Sequence, residues 1–165
     1  MIYAVFDTNV LVSALITHNV NASTVKVVEA IGNGKVIPLY NDEIVAEYDE
    51  VLSREKFGLL KSKVKRLIET LKNKGIDSER VASGEAFPDV SDAVFYEVAL
   101  SKENAYLVTG NLKHFPSTPM TDEERIYNLE NDYHVPYSDR VAFLMGWLGH
   151  GKKEAWMRKY KSEKK

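Results

Sequence analysis

Short apolar segments with the character of buried strands alternate along this chain with segments patterned as helices. The first, IYAVFD at residues 2–7, is apolar at both odd and even positions, so both faces of the strand should be covered. Further strands are predicted at 35–40, where Pro38 weakens the strand or places it near an edge, at 79–83 and at 105–111. This order predicts an α/β domain with a mainly parallel sheet.

The intervening helices carry recognisable end signals. They are predicted at 23–34, 41–57, 59–75 and, after a loop, within 88–104. Asn41 or Asp42 should cap the second of these helices, Gly75 should end the third, and Ser91 should cap the fourth.

Composition narrows the class of protein further. The 165 residues suit one domain, and 44% hydrophobic with 28% charged residues is ordinary for a globular protein. Cysteine is absent, which excludes disulfides and cysteine metal sites and fits a cytoplasmic location. No apolar run approaches the roughly 20 residues of a membrane span, and the start does not read as a signal peptide, so no membrane association is expected.

Charge is distributed unevenly. Residues 151–165 hold seven Lys or Arg and two acids, a net charge of +5, whereas the rest holds 15 basic and 22 acidic residues, a net charge of −7. An acidic body with a basic tail could bind cations in one place and phosphates in another. The alternative is a C-terminal helix whose lysines are simply solvated.

Polar side chains follow two of the predicted strands. Asp7 ends the first and Asn111 the last, while Asp92 lies near the start of the helix at 88–104. Ligands of parallel α/β sheets bind beyond the carboxyl ends of the strands, so these side chains are expected in one crevice. Each also has a plainer interpretation, because Asp7 could cap the next helix and Asp92 could be a first-turn acid.

Glu47 is predicted at the edge of a buried helical face. It lies three residues after Ile44 and four before Val51, so the three share one side of the helix. A glutamate there is costly unless it reaches water, pairs with a lysine or binds a cation. Oxygen ligands without cysteine or a histidine cluster favour Mg²⁺ or Mn²⁺ over zinc.

Four stretches in this order and spacing resemble a PIN domain, most closely the VapC-like toxins of bacterial and archaeal toxin–antitoxin systems. They are AVFDTNVLVSAL, EIVAEYDEVL, PDVSDAVFYEVAL and AYLVTGNLKHFP. The resemblance implies a three-layer α/β/α sandwich around a mainly parallel sheet. It covers residues 1–116 of a single domain, 1–165. Residues 117–165 are then an unmatched helical C-terminal extension that ends in the basic tail.

The resemblance also implies an endoribonuclease that hydrolyses RNA with water activated by Mg²⁺ or Mn²⁺. The catalytic and metal-binding positions map onto Asp7, Glu47, Asp92 and Asn111, and the supporting small polar residues onto Thr8, Asn9 and Thr109. Asn111 is a departure, because this position usually carries a carboxylate. Asp89 is either a further carboxylate around the site or a loop residue. His114 needs no catalytic role, since water activated by a metal requires no histidine.

Partners are expected on the same basis. RNA is the substrate, and its phosphates would meet basic residues near the site and in the tail: Lys113, Lys152, Lys153, Arg158 and Lys159. Trp156 and Tyr160 either stack on bases or pack the tail on the body. A cognate antitoxin and a homodimer follow from the resemblance alone. The alternatives are a catalytically weak or silent PIN domain that binds RNA or a partner, and an RNA-processing nuclease outside any toxin–antitoxin pair.

Overall fold

The structure is a computed structural model that describes residues 2–102, 105–109 and 115. Within these residues four parallel strands form one sheet in the order β3-β2-β1-β4. The strands are β1 (Ile2–Phe6), β2 (Val36–Tyr40), β3 (Ile76–Asp77) and β4 (Tyr106–Val108). The mainly parallel sheet predicted from the sequence is therefore confirmed.

Five helices connect and cover these strands in the described part of the chain. They are α1 (Thr8–Ile16), α2 (Ser23–Gly32), α3 (Asp42–Leu52), α4 (Lys61–Lys74) and α5 (Ala93–Ala99), with short 3₁₀ turns at Glu55–Phe57 and Val90–Asp92. The connection from β3 to β4 runs back past β1, opposite to the two earlier crossovers. Since parallel crossovers are right-handed, α5 covers the face opposite to α2 and α4, which gives a three-layer α/β/α sandwich.

Strand β1 lies at the centre of the core. Ala4, Val5 and Phe6 have no exposed surface, although successive side chains of a strand point to opposite faces. Helices α2 and α4 pack on β2 from one side, and α5 packs on β1 and β4 from the other. The strand is thus covered on both faces, as its apolar pattern predicts.

Two strand predictions need correction. No strand forms at 79–83; the strand of this region is β3, two residues long and slightly earlier. Strand β2 is an inner strand, so Pro38 does not mark an edge. Its missing N–H is tolerated because β3 pairs with β2 only from Leu39 onward, beyond the proline.

Some of the predicted helix ends are confirmed and others are wrong. The Asn41 side chain accepts a hydrogen bond from the Ile44 N–H at 2.9 Å, so it caps α3 as predicted. Ser91 does not cap α5, because Asp92 occupies that position and Ser91 lies within the preceding 3₁₀ turn. Helix α1 was predicted only indirectly, as the helix that Asp7 could cap, and α3 ends at Leu52 instead of continuing to residue 57.

Helix α4 ends where the chain passes very close to β2. A Cβ atom on Gly75 would lie 2.5 Å from the carbonyl oxygen of Leu71 and closer still to that of Pro38. Glycine is needed here because it lacks a Cβ atom, and not because of its backbone conformation, since a φ of −102° suits any residue. None of the described helices combines the length and apolar character that a bilayer crossing requires.

Candidate metal-binding site at the carboxyl edge of the sheet

The strand order creates a crevice between β1 and β4. The chain leaves β1 toward β2 on one side, whereas β4 joins β1 from the other side after the crossover from β3. This reversal is the point where open parallel sheets bind ligands, beyond the carboxyl ends of the strands. Phe6 pairs with Val108, so the residues that follow them, Asp7 and Thr109, emerge side by side.

Asp7 is buried in this crevice, with 6% of its surface exposed. Asp7 is the N-cap residue of α1, as one interpretation of the sequence predicted, but its side chain makes no capping hydrogen bond to that helix. The Thr109 hydroxyl instead donates to the Asp7 carboxylate at 2.6 Å. The Asp7 N–H donates to the Val108 carbonyl at 2.9 Å, which fixes the backbone at the same point.

The side chain of Glu47, on α3, extends into the crevice and contacts Thr8, the residue that follows Asp7. The Thr8 hydroxyl donates a short hydrogen bond to Oε2 of Glu47. Thr8 is buried and Glu47 is partly buried, as the helical face predicted for Glu47 requires. Among the described residues Glu47 forms no ion pair, so a lysine partner does not explain its position there.

The electrostatics of the crevice oppose an isolated negative charge at Glu47. Burial is the largest cause that raises the pKa of Glu47 above its usual value, and the hydrogen bond from Thr8 lowers it. The negative charges of Asp7, Asp89 and Glu50 raise this pKa further. A cation between Asp7 and Glu47 would relieve that repulsion.

Tyr48 fastens α3 to the strand that carries Asp7. Its hydroxyl donates a short hydrogen bond to the carbonyl oxygen of Phe6, and its ring lies 6.1 Å from that of Phe95 in α5. Burial raises the pKa of Tyr48 well above its usual value, and the charges of Asp7 and Glu47 add to this. The hydroxyl therefore stays protonated and remains a donor to β1.

The oxygen atoms in the crevice fit a hard divalent cation. Asp7 and Glu47 contribute carboxylates, and Oδ1 of Asn9, in the first turn of α1 just after Asp7, is buried and has no hydrogen-bond partner among the described residues. A buried acceptor without a donor is rare and calls for an explanation. A cation or a bound water would satisfy it, and such oxygen donors suit Mg²⁺ or Mn²⁺.

Two further acids lie at the start of α5. Asp92 is the N-cap residue of α5 and is partly buried. Asp89 accepts from the N–H and the hydroxyl of Ser91 at 3.0 and 2.7 Å, so it shapes the turn before the helix. Within the described residues no three His, Cys, Asp or Glu side chains form a group that could hold a metal ion.

Several predicted functional residues lie outside the described residues. They are Asn111, Lys113, His114, Lys152, Lys153, Trp156, Arg158, Lys159 and Tyr160. Their roles stay predictions, as do the metal-binding roles of Asp7, Glu47 and Asp92 and the supporting roles of Thr8, Asn9 and Thr109.

Sequence reasoning missed a polar group that connects α3 and α5. Arg80 contacts both Glu43 and Glu97, and Glu97 is buried. A signal was present, because Glu97 is the single charged residue in the apolar helix segment AVFYEVA. A buried glutamate in such a helix requires a partner.

Comparison with known proteins supports the relationship that the motifs indicate. The sequence profile of the PIN domain, a nuclease-type fold, matches residues 3–113. No curated protein and no solved structure shows significant similarity to the chain. The profile match spans about two thirds of the sequence and includes every described element, from β1 to β4. The chain therefore belongs to the PIN domain family.

Proposed function

We propose that this protein is a ribonuclease that hydrolyses RNA phosphodiester bonds with the help of Mg²⁺ or Mn²⁺. The observation that supports this most directly is the approach of Glu47 to the residue next to Asp7 at the carboxyl edge of the sheet, where the Thr8 hydroxyl donates to Glu47 and the Thr109 hydroxyl donates to Asp7. Two carboxylates in a mostly buried crevice need a positive partner, and RNA needs one to approach them.

In this proposal the chain supplies oriented oxygen atoms. Thr109 holds the carboxylate of Asp7 and Thr8 holds one oxygen of Glu47, so each acid has a defined direction before a cation binds. Asp92, Asn111 and the buried oxygen of Asn9 would complete the set. When bound, a divalent cation acidifies water and offsets charge on the scissile phosphate.

RNA cleavage by variants of the two carboxylates tests this function. We expect wild-type cleavage to require Mg²⁺ or Mn²⁺ and to fall by roughly 100-fold or more in Asp7→Asn and Glu47→Gln, because each removes a charge that holds the cation. Mn²⁺ affinity, measured by electron paramagnetic resonance, should fall in parallel. Asp49→Asn is the matched control, since Asp49 is exposed on the same helix as Glu47.

The same assay decides against the proposal if cleavage survives in Asp7→Asn or proceeds fully in EDTA. A PIN domain that only binds RNA or a protein partner would retain RNA or partner binding and show no cleavage in any variant. That outcome would replace the nuclease proposal with the binding-module alternative.

We also propose, from the VapC-like resemblance, that the nuclease is a toxin with a cognate antitoxin and that it forms a homodimer. Expression of the wild-type chain should arrest growth, whereas Asp7→Asn should not. Co-expression of a small adjacent reading frame should restore growth. Cleavage of RNA without growth arrest would favour the RNA-processing alternative, and sedimentation of the purified chain would test the dimer.

A further inference from the structure

Arg80 joins two helices that approach the candidate site from different parts of the chain. Its Nε lies 2.7 Å from Oε1 of Glu97 in α5, and its Nη1 lies 2.8 Å from Oε2 of Glu43 in the first turn of α3. The guanidinium is planar and rigid, so two carboxylates bound to different nitrogens are held in a fixed relation. A single side chain thereby connects α3 to α5.

The connection is anchored on the α5 side. Glu97 also accepts a hydrogen bond from the Ser83 N–H at 2.6 Å, and its carbonyl oxygen accepts from the Val81 N–H at 3.1 Å. These bonds hold the segment around Arg80 against α5, where the Glu97 side chain is only 11% exposed. Arg80 therefore extends toward Glu43 from a backbone that α5 holds in place.

Both helices carry proposed site residues. Glu43 precedes Glu47 by four residues, so the two lie one turn apart on the same side of α3. Asp92 is the N-cap residue of α5. In the interior the rings of Tyr48 and Phe95 also connect the helices, and Arg80 adds a connection near the start of α3.

We propose that Arg80 is a positioning residue that fixes the direction of Glu47 by tying the start of α3 to α5. This inference rests on the proposed metal-dependent function, in which Glu47 is one of the acids that bind the cation. Arg80 does not touch Glu47 and takes no part in the reaction. Its contribution is the preorganisation of the helix that presents this acid.

A second arginine pair in the protein supplies a matched control. Arg54 binds Glu50 at 2.8 Å, and both residues are exposed near the end of α3. Both residues of this pair lie at or just after the C-terminal end of α3, so the pair does not connect α3 to α5. The negative charge of Glu50 raises the pKa of Glu47, so removal of Glu50 also controls for the loss of a nearby charge.

The experiment compares Arg80→Met and Glu43→Ala with Arg54→Met and Glu50→Ala in the full chain. Glu43→Ala breaks the connection to α3 and leaves the Arg80–Glu97 pair intact, so it remains informative if Arg80→Met folds poorly. Three quantities are measured: amide hydrogen exchange of α3 and α5, Mn²⁺ affinity by electron paramagnetic resonance, and kcat and KM for RNA cleavage.

We expect faster amide hydrogen exchange in the first turn of α3 for both test variants. Mn²⁺ affinity should fall by about threefold to tenfold. This loss is no larger than the loss typical of residues that contact a metal ligand directly. kcat at saturating Mn²⁺ should fall while KM for RNA changes less than twofold. Arg80→Lys should restore part of the Mn²⁺ affinity, because a lysine reaches one carboxylate but cannot bridge both. The control variants should match wild type within twofold.

Two results would overturn the inference separately from the proposed function. Unchanged hydrogen exchange in α3, or equal Mn²⁺ losses in test and control variants, would show that Arg80 does not position the helices for metal binding. By contrast, wild-type protein that neither binds Mn²⁺ nor cleaves RNA would refute the proposed function itself. In that case the exchange data would still report whether Arg80 ties α3 to α5.

Discussion

At the scale of single residues, the role of a side chain is decided by neighbours that are distant in sequence. Asp7 precedes a helix and could have capped it, yet its carboxylate accepts from Thr109, which lies 102 positions later. No local pattern in FDTN distinguishes these two outcomes. The pairing of Phe6 with Val108 decides between them, because it places Asp7 and Thr109 next to each other.

The raised pKa of Glu47 makes a prediction about stability and pH. A group whose pKa is higher in the folded state contributes stability below its unfolded value, and that contribution is lost as the pH rises through the folded value. Without a divalent cation, Glu47→Gln should therefore be more stable than wild type at pH 7, since glutamine keeps the oxygen that accepts from Thr8. The difference should shrink as the pH falls from 7 toward 4.5, the usual glutamate value, and should be smallest below it.

Urea unfolding of both proteins across this pH range measures the effect. Glu29→Gln, on the exposed side of α2, is the control for the loss of a carboxylate elsewhere in the protein. Addition of saturating Mn²⁺ at pH 7 should reverse the order and make wild type the more stable protein, because only its Glu47 binds the cation as a carboxylate. A Glu47→Gln protein that is less stable at pH 7 without metal would contradict the prediction.

At the scale of elements, the sequence pattern predicted the strands and helices that bury apolar surface. It missed the features that depend on contacts between one element and another. Strand β1, the Asn41 cap and the end of α4 follow from local patterns. The segment at 79–83 contains Val81 and looked like a strand, but its N–H groups bind Glu97 of α5 instead of a neighbouring strand. Helix α1 was predicted only indirectly because its apolar side chains recur without a clear polar face.

The contact between α4 and β2 predicts an effect of substitution at Gly75. Gly75→Ala should lower the free energy of unfolding by about 1–3 kcal/mol, because the added Cβ would collide with the carbonyl oxygens of Pro38 and Leu71, and the backbone must move to accommodate it. Chemical denaturation measures the change. Gly32→Ala is the control, since no atom lies within 4 Å of a Cβ at that helical position.

The two glycine substitutions should differ in sign. Alanine is favoured over glycine in a helix by roughly 0.5–1 kcal/mol, so Gly32→Ala should leave stability unchanged or raise it slightly. Equal changes in the free energy of unfolding at the two positions would contradict the prediction. They would show that a small shift of the backbone accommodates the added Cβ at Gly75 without loss of stability.

At the scale of the whole molecule, the sheet topology indicates the candidate site more directly than any single motif. The alternation of strands and helices predicts a parallel sheet, and a parallel sheet places Asp7 at its binding edge. What the sequence could not supply was the set of connections that orient the acids. The bonds of Thr8 to Glu47, Tyr48 to Phe6 and Arg80 to two helices each depend on distances between elements.

The uneven charge of the chain gives a prediction about RNA binding. If the basic tail contacts RNA phosphates, replacement of four of its residues by serine should weaken the dependence of KM on salt and leave kcat unchanged. The replaced residues are Lys152, Lys153, Arg158 and Lys159. The slope of log KM against log salt should fall by about 0.7 for each lost contact to single-stranded RNA.

A matched variant separates a tail contact from a general loss of positive charge. It replaces four exposed lysines of α4 by serine: Lys61, Lys63, Lys65 and Lys72. This variant loses the same charge from the body of the protein. Equal changes of slope in both variants would show that net charge, and not contact with the tail, governs RNA affinity.

The peptide unit between Phe6 and Asp7 is bonded at both of its polar groups, to Tyr48 through the carbonyl and to Val108 through the N–H. Rotation of this unit would break both bonds at once, so the backbone that carries Asp7 is fixed, and the Thr109 hydroxyl holds its carboxylate. Under the proposed metal-dependent function, such a site would tolerate poorly a cation of different radius, since the cation would have to fit the acid and not the reverse. Preference among divalent cations would then be decided by β1, while α3 would set only the strength of binding.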